Sequence, residues 1–262
     1  MDIITSAKNP LVTELKSLLT QKGRAEKGLI LLPGEKLCVE ALKSDKTRVR
    51  RLIVTESGKR DYSAVLESAL SAGAEATVVS DSIMETLCEQ KNPQGVLAAA
   101  DSFFVMGSFS PVGRLVALDR VQDPGNVGTI IRSADAAGFS GVILRKGCAD
   151  AFSYKVLRAA MGSVFRVSIF APDDFIFELA RIREAGAEIL SSELCGGNMF
   201  SFGEFPEKLC LVIGNESAGV SPEVSALADV KIKIPMLGGA ESLNAGVAAS
   251  VLMYHLNRDK ML

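Results

Sequence analysis

Three short segments of this 262-residue chain gather the residue types that group-transfer chemistry uses. Residues 119–132 offer Asn126 and Arg132. Residues 214–219 place Asn215 and Glu216 between Gly214 and Gly219. Residues 235–244 set Met236, Ser242 and Asn244 beside Gly238 and Gly239. Each segment follows an apolar run, as where a buried strand stops and a ligand can reach the backbone, and the last two are expected to leave adjacent parallel strands side by side at one sheet edge. An acid, a base and amides at three strand ends can orient a polar substrate. Each residue also has a plain reading. Asn126 could cap its helix, Arg132 could pair with Asp135 a turn away, Glu216 could sit in a turn, and Ser242 could cap the last helix. Capping explains them singly; it does not explain their recurrence at three strand ends.

Other chemistries are poorly served. The single histidine, His255, lies near the far end of the last helix, away from every glycine loop, and reads as structural. The cysteines Cys38, Cys88, Cys148, Cys195 and Cys210 are odd in number and form no C-x-x-C pair, so neither a metal site nor a disulfide framework is expected. No Walker loop and no G-x-G-x-x-G follows a strand. The start of the chain lacks a basic and then apolar leader, and no apolar run nears the ~20 residues that span a bilayer, so a cytoplasmic location without membrane contact is expected.

The elements that must position these residues alternate between strand and helix. Asn9-Pro10 opens a helix with Leu11, Val12, Leu15, Leu18 and Leu19 on its buried face, and Gly23 as its stop. Strands are expected at 29–32, 51–55, 76–79 and 95–100, with helices between. Residues 101–114, rich in Gly, Ser and Pro, read as a linker. From 115 alternation resumes: strands at 115–118, 142–144, 164–170, 189–191, 211–213 and 230–234, a turn at 123–126, helices at 127–137, 154–160 and 243–256, and little regular pattern across 195–205. The fold class is α/β, with one domain at 1–105 and a second at 106–262. Hydrophobic residues make up 48% of the chain, enough for sizeable cores. Residues 1–60 carry 13 Lys+Arg against 7 Asp+Glu, a balance of +6, while the remaining residues carry 16 against 24, a balance of −8. A basic first segment on an acidic body suits either a polyanion-facing end or an ordinary solvated surface.

Residues 126–138 (NVGTIIRSADAAG), 212–219 (VIGNESAG), and 234–236 (IPM) with 241–248 (ESLNAGVA) closely resemble the three ordered motifs of the SpoU (TrmH-like) family, RNA ribose 2′-O-methyltransferases of the SPOUT superfamily. Residues 155–167 (KVLRAAMGSVFRV) look like the stretch this family carries between its first two motifs. Residues 1–100 resemble its ribosomal-protein-like substrate-binding domain, marked by Gly34-Glu35-Lys36 and by 92–98 (NPQGVLA), with Pro33 where relatives usually have an acidic residue. The resemblance implies a parallel-sheet domain with a deep trefoil knot, acting as a homodimer through its C-terminal domain. It implies S-adenosyl-L-methionine (AdoMet) as cofactor and no metal, and transfer of a methyl group to a ribose 2′-hydroxyl in structured RNA, ribosomal RNA before transfer RNA. Gly214, Asn215, Ile234, Met236 and Leu243 would hold the cofactor. Arg132 would be central, either losing a proton in a special site or stabilising the developing alkoxide. Asn126 would position the RNA, while Glu216, Ser242 and Asn244 keep Arg132, the ribose and the cofactor loop in register. Two other classes compete: a non-catalytic RNA-binding or ribosome-assembly factor, against which the intact Arg132, Glu216, Ser242 and Asn244 argue, and a nucleotide-dependent oxidoreductase, which lacks its fingerprint.

Overall fold

The computed structural model describes residues 2–102 and 113–260; the middle of the expected linker, residues 103–112, lies outside them. The chain divides into two compact units, one of Met1–Phe103 with Phe152–Phe165, the other of Phe104–Ala151 with Arg166–Leu262.

The first unit is built on a mixed sheet of β1 (Ile3–Ile4), β2 (Leu29–Pro33), β3 (Val49–Val54), β4 (Glu75–Val79) and β5 (Val96–Asp101), in the order β1-β4-β3-β5-β2. β1, β4 and β3 run parallel, and β5 runs antiparallel to both β3 and β2. Pro33 ends the edge strand, where a missing amide is tolerated. Asn9 accepts from the Leu11 amide at 2.9 Å and opens Pro10–Ser17, as its sequence predicts. Val12, Leu15 and Leu18 pack with Ile83, Met84 and Leu87 beneath the sheet. Gly23 does not stop this helix. It lies inside a second one, Gln21–Lys27, where a Cβ would fall 2.0 Å from the Ser17 carbonyl oxygen. Close packing, and not helix termination, selects glycine there. A helix at Glu56–Asp61, capped by Thr55, also escaped the periodicity.

The second unit holds a six-stranded sheet, parallel throughout: β6 (Arg114–Asp119), β7 (Gly141–Leu144), β8 (Ser168–Phe170), β9 (Glu188–Asn198), β10 (Leu209–Gly214) and β11 (Val230–Lys233). The order is β11-β9-β10-β6-β7-β8. Every residue of β6 is buried, so helices cover both faces. Leu115 and Ala117 of one face join Ile143, Cys210 and Val212 against Leu179 and Ile182 of the helix Phe175–Glu184. The start of β6 is pinned to the end of the last helix. Arg114 donates to the Leu256 carbonyl, to Asn257 Oδ1 at 2.5 Å and to the Pro206 carbonyl at 3.1 Å.

Three features of this unit differ from the expectation. β9 separates β10 from β11, so the two glycine-rich loops do not leave neighbouring strands; at the usual strand spacing they start about 10 Å apart. β9 runs on through 195–198 after a bulge, pairing Ser191 with Lys231 and Gly197 with Ile232. Gly196 is needed there, because a Cβ would meet the Ile232 backbone at 2.6 Å. The strand expected at 164–170 begins as a 3-10 turn, Ser163–Phe165, leaving only Ser168–Phe170 in the sheet.

Candidate active site

In a parallel sheet, ligands bind beyond the carboxyl ends of strands where the strand order reverses. Here that point lies between β6 and β10, whose last residues Asp119 and Gly214 pair. Beyond Asp119 the chain enters the helix Pro124–Ala136. Residues 123–126 are not a free turn but its first turn. Asp123 is the cap, accepting from the Asn126 amide at 2.8 Å, and Pro124 follows it. This frees the Asn126 side chain, which is buried and donates from Nδ2 to Glu216 Oε1 at 2.9 Å. Glu216 also accepts from the amides of Asp123 (3.2 Å) and Gln122 (3.3 Å). Partial burial works to raise the Glu216 pKa, but the bonds from Asn126 and from the backbone amides outweigh it and hold the carboxyl below its ordinary range.

The loop after β10 is closed on itself. Asn215 and Gly219 exchange backbone hydrogen bonds of 3.0 and 2.9 Å. The Asn215 side chain accepts from the amides of Ser217 and Ala218, both at 3.0 Å, and donates to the Arg120 carbonyl at 2.9 Å. Gly219 has φ +69°, which glycine adopts freely. Gly214 is glycine for packing: a Cβ there would lie 2.2 Å from the backbone of Gly219 and Val220. A Gly214→Glu chain therefore opens this loop before it can block any cofactor, and is a poor probe of cofactor contact.

Beneath the loop lies a charged network that sequence reasoning missed. Asp119 is fully buried and accepts from the Ser221 amide at 2.7 Å, Arg145 at 2.9 Å and Arg120 at 3.2 Å. Arg145 also reaches Ser221 Oγ (2.8 Å) and Glu223 (2.6 Å). Burial pushes the Asp119 carboxyl up, yet the bonds from Ser221 and Arg145 prevail and its pKa is lowered. Arg145 follows β7 and stands 26 residues from Asp119 in sequence, so no local pattern links them. The available signal was an acid and a base each ending a buried strand.

The second loop is different. Ile234 and Met236 are half-buried, Ser242 is exposed, Leu243 is 38% exposed and Leu237 fully so. Residues 235–243 make no hydrogen bond among the described residues. Asn244, not Ser242, caps the last helix, Ala245–Leu256, accepting from the amides of Gly246 (3.0 Å) and Val247 (3.2 Å). That helix lies along Pro124–Ala136: a Cβ on Gly246 would meet Asn126 Oδ1 at 3.3 Å, and Ser250 bonds Ser133 at 2.7 Å. Asn244 is thereby brought beside the Asn126 end of the site.

Arg132 is exposed and makes no hydrogen bond or ion pair among the described residues. Its suggested partner, Asp135, is taken by Arg166 at 2.8 Å. Six residues on from Asn126, Arg132 points about 120° away around the helix axis. The structure thus unites Asn126, Gly214, Asn215 and Glu216, sets Asn244 beside them, and leaves Arg132 and Ser242 unbonded. His255 contacts the Met199 carbonyl at 3.0 Å and the Phe200 and Phe205 rings, in a structural setting away from these loops. No cluster of three His, Cys, Asp or Glu side chains that could hold a metal occurs among the described residues, and no helix there is long and apolar enough to cross a membrane.

The parallel sheet thus carries an asparagine–glutamate pair at its switch point, an unpaired arginine farther along the same helix as that asparagine, and two glycine-rich loops. Residues 113–254 match the model of the SpoU rRNA methylase family, and residues 9–98 that of an MRM3-like substrate-binding domain. The chain belongs to the SpoU rRNA methylase family. It is 35% identical to the 23S rRNA (guanosine(2553)-2′-O)-methyltransferase RlmP of Bacillus subtilis (strain 168), over 98% of this chain and 99% of that protein. An AdoMet-bound rRNA methyltransferase from Sinorhizobium meliloti superposes with a TM-score of 0.85 at 31% identity, covering 100% of this chain and 98% of the other. The SpoU methyltransferase AviRb from Streptomyces viridochromogenes, in complex with AdoMet, gives 0.83 at 28% identity, covering 97% and 99%.

Proposed function

We propose that this chain transfers the methyl group of AdoMet to a ribose 2′-hydroxyl in ribosomal RNA, with the first unit supplying substrate choice. The observation that carries the reading is the preformed Asn126–Glu216 pair at the β6–β10 switch point of a SpoU domain. AdoMet supplies a sulfonium methyl, an electrophile that needs no metal. The half-buried Ile234 and Met236 suit an adenine face, and the free backbone groups of 235–243 with Leu243 suit its polar edges. Gly214 and Asn215 form the opposite rim. Asn126, fixed by Glu216, would orient the ribose, and positioning is a large part of such a rate. Arg132 would meet the charge developing on the 2′-oxygen, by direct stabilisation or by accepting its proton. Calorimetry should show AdoMet binding that EDTA leaves unchanged. The deciding experiment maps ribose methylation in RNA from cells with and without this gene. Loss of a ribosomal-RNA methyl is expected; an unchanged ribosomal-RNA map sinks the reading.

The same proposal makes the enzyme a cytoplasmic homodimer with a trefoil-knotted C-terminal segment. Leu252 is buried within its own unit, but Val247 (47% exposed), Val251 (36%) and Tyr254 (45%) form an exposed stripe along one side of the last helix. A second copy seated there would complete a site in which Arg132 and Ser242 now lack partners. Light scattering at micromolar concentration should return twice the chain mass; a monomer overturns the dimer.

A further inference from the structure

A cleft of about 340 Å³ opens within the first unit, near the lower end of the range of about 300–1,000 Å³ that holds small organic groups. It forms where both sequence markers of this unit meet the segment Phe152–Phe165, with Gly34, Lys36 and Gln94 on one side and Tyr154 and Arg158 on the other. Lys36 and Arg158 are the charged residues lining it, and no carboxylate does. Lys36 is exposed and has no ion pair among the described residues. The Arg158 guanidinium lies over the Tyr154 ring, 5.5 Å from its centroid, giving a flat cationic platform.

Gln90 and Gln94 also line the cleft, and their amides are oriented by hydrogen bonds. Gln90 Oε1 accepts from the Tyr154 hydroxyl and from Arg158 at 2.9 Å. Gln94 Oε1 accepts from the Glu35 amide at 3.0 Å. Because Arg158 and the Glu35 amide can only donate, the side-chain oxygen of Gln90 and of Gln94 must face them. Both amide nitrogens are left as donors without partners among the described residues. The cleft therefore combines apolar walls from Leu157 and Met161, a stacking platform, two spare amide donors and two cations.

We propose that this cleft binds one unpaired nucleotide of the RNA substrate, its base against the Tyr154–Arg158 platform, its acceptor edge on the Gln90 and Gln94 amides, and its phosphate at Lys36 and Arg158. The proposal rests on the RNA-methyltransferase reading and adds where and in what form the RNA is read. A paired base cannot enter, since it is stacked and its edge is engaged; an unstacked one presents both face and edge. Gly34 keeps the rim open: with φ +85° and a Cβ position 2.6 Å from Gln94 Oε1, any side chain there would displace Gln94.

The test uses the full chain carrying Gln90→Glu and Gln94→Glu. Glutamate keeps the oxygens that accept from Tyr154, Arg158 and Glu35, so the fold is retained, but it replaces both free donors with acceptors and adds charge. Fluorescence anisotropy with a labelled single-stranded RNA of mixed sequence should show at least a tenfold loss of affinity, about 1.4 kcal/mol. A blunt duplex of the same sequence should bind nearly as before, and thermal unfolding and AdoMet binding should be unchanged. Equal losses on strand and duplex, or no loss on the strand, overturn the cleft assignment. So does competition by a free nucleoside monophosphate as strong as that by the strand. AdoMet binding and methyl incorporation into ribosomal RNA by the unaltered chain are measured alongside. Their absence refutes the methyltransferase reading, whereas undiminished strand affinity in the variant refutes the cleft with that reading intact.

Discussion

The loop after β10 and the loop after β11 carry the same kinds of residue and are held in opposite ways. The first is locked: Asn215 bonds it to itself and to Arg120, Glu216 clamps it to the helix of Asn126, and Asp119 anchors it at Ser221. The second has no hydrogen bond across 235–243 among the described residues, and nothing lies within 4 Å of where side chains on Gly238 or Gly239 would begin. Rigid parts of a site supply orientation, while an open segment can order around a ligand. The first loop is thus preformed, and the second is left open.

The largest expected effect touches neither loop. Arg132→Ala and Arg132→Lys should both bind AdoMet and RNA normally and lose about 10²–10³-fold in single-turnover rate, as when a charge-stabilising donor is removed. Because Arg132 has no bonds to either loop, unfolding temperature should not move. Near-normal turnover at saturating RNA and cofactor would remove Arg132 from the mechanism.

Next comes the lock itself. Arg145→Met leaves buried Asp119 with only Ser221 and Arg120, and breaking such a pair costs about 3–5 kcal/mol; the low end is expected because those two bonds remain. Chemical denaturation measures it, and a loss under 1 kcal/mol would show that the network is ornamental. The same network sets an acid limit. Asp119 and Glu216 both have lowered folded pKa values, so their contribution is present above the ordinary values of 3.8 and 4.5 and disappears as pH falls through the folded ones. The unaltered chain should lose stability below about pH 3.8, as Asp119 titrates, faster than the Arg145→Met chain, in which less of that contribution remains to be lost.

How much of this was legible beforehand follows from range. Asn9-Pro10, which caps a helix within two residues of itself, announced its element. The cluster of Asn126, Asn215 and Glu216 was visible as residue types at strand ends, although Asp123, not Asn126, proved to be the cap. Contacts spanning longer distances were silent. Arg145 is chosen by Asp119 and Glu223, Gly23 by the Ser17 carbonyl, and Gly196 by β11. Strand order was equally hidden, because nothing in the apolar runs of β9, β10 and β11 says that the middle one in sequence is not the middle one in space.

A pair of glycine substitutions separates the loops more finely. Gly214→Ala puts a methyl group where it collides with Gly219 and Val220, and overpacking of this kind costs about 1–3 kcal/mol. Gly238→Ala meets open space and should stay within about 0.5 kcal/mol of the unaltered chain. If Gly238→Ala proves the costlier, the contrast between a locked and an open loop is wrong.

The smallest effect lies where the open loop ends. Asn244 caps the last helix with two bonds, to the Gly246 and Val247 amides, so Asn244→Ala should cost about 1 kcal/mol. That loss alone does not tell a cap from a site residue. Asn244→Asp does. Aspartate caps as well as asparagine, and its charge suits a helix N-terminus, so stability should return in full. It has no amide to donate, however, and it places a negative charge beside Asn126, where the ribose and its phosphates are expected. If Asn244 serves the site, Asn244→Asp unfolds like the unaltered chain, yet its KM for RNA rises while AdoMet affinity holds. If turnover and KM both recover with stability, Asn244 is a cap and no more, and the open loop contributes to the site only through the residues before it.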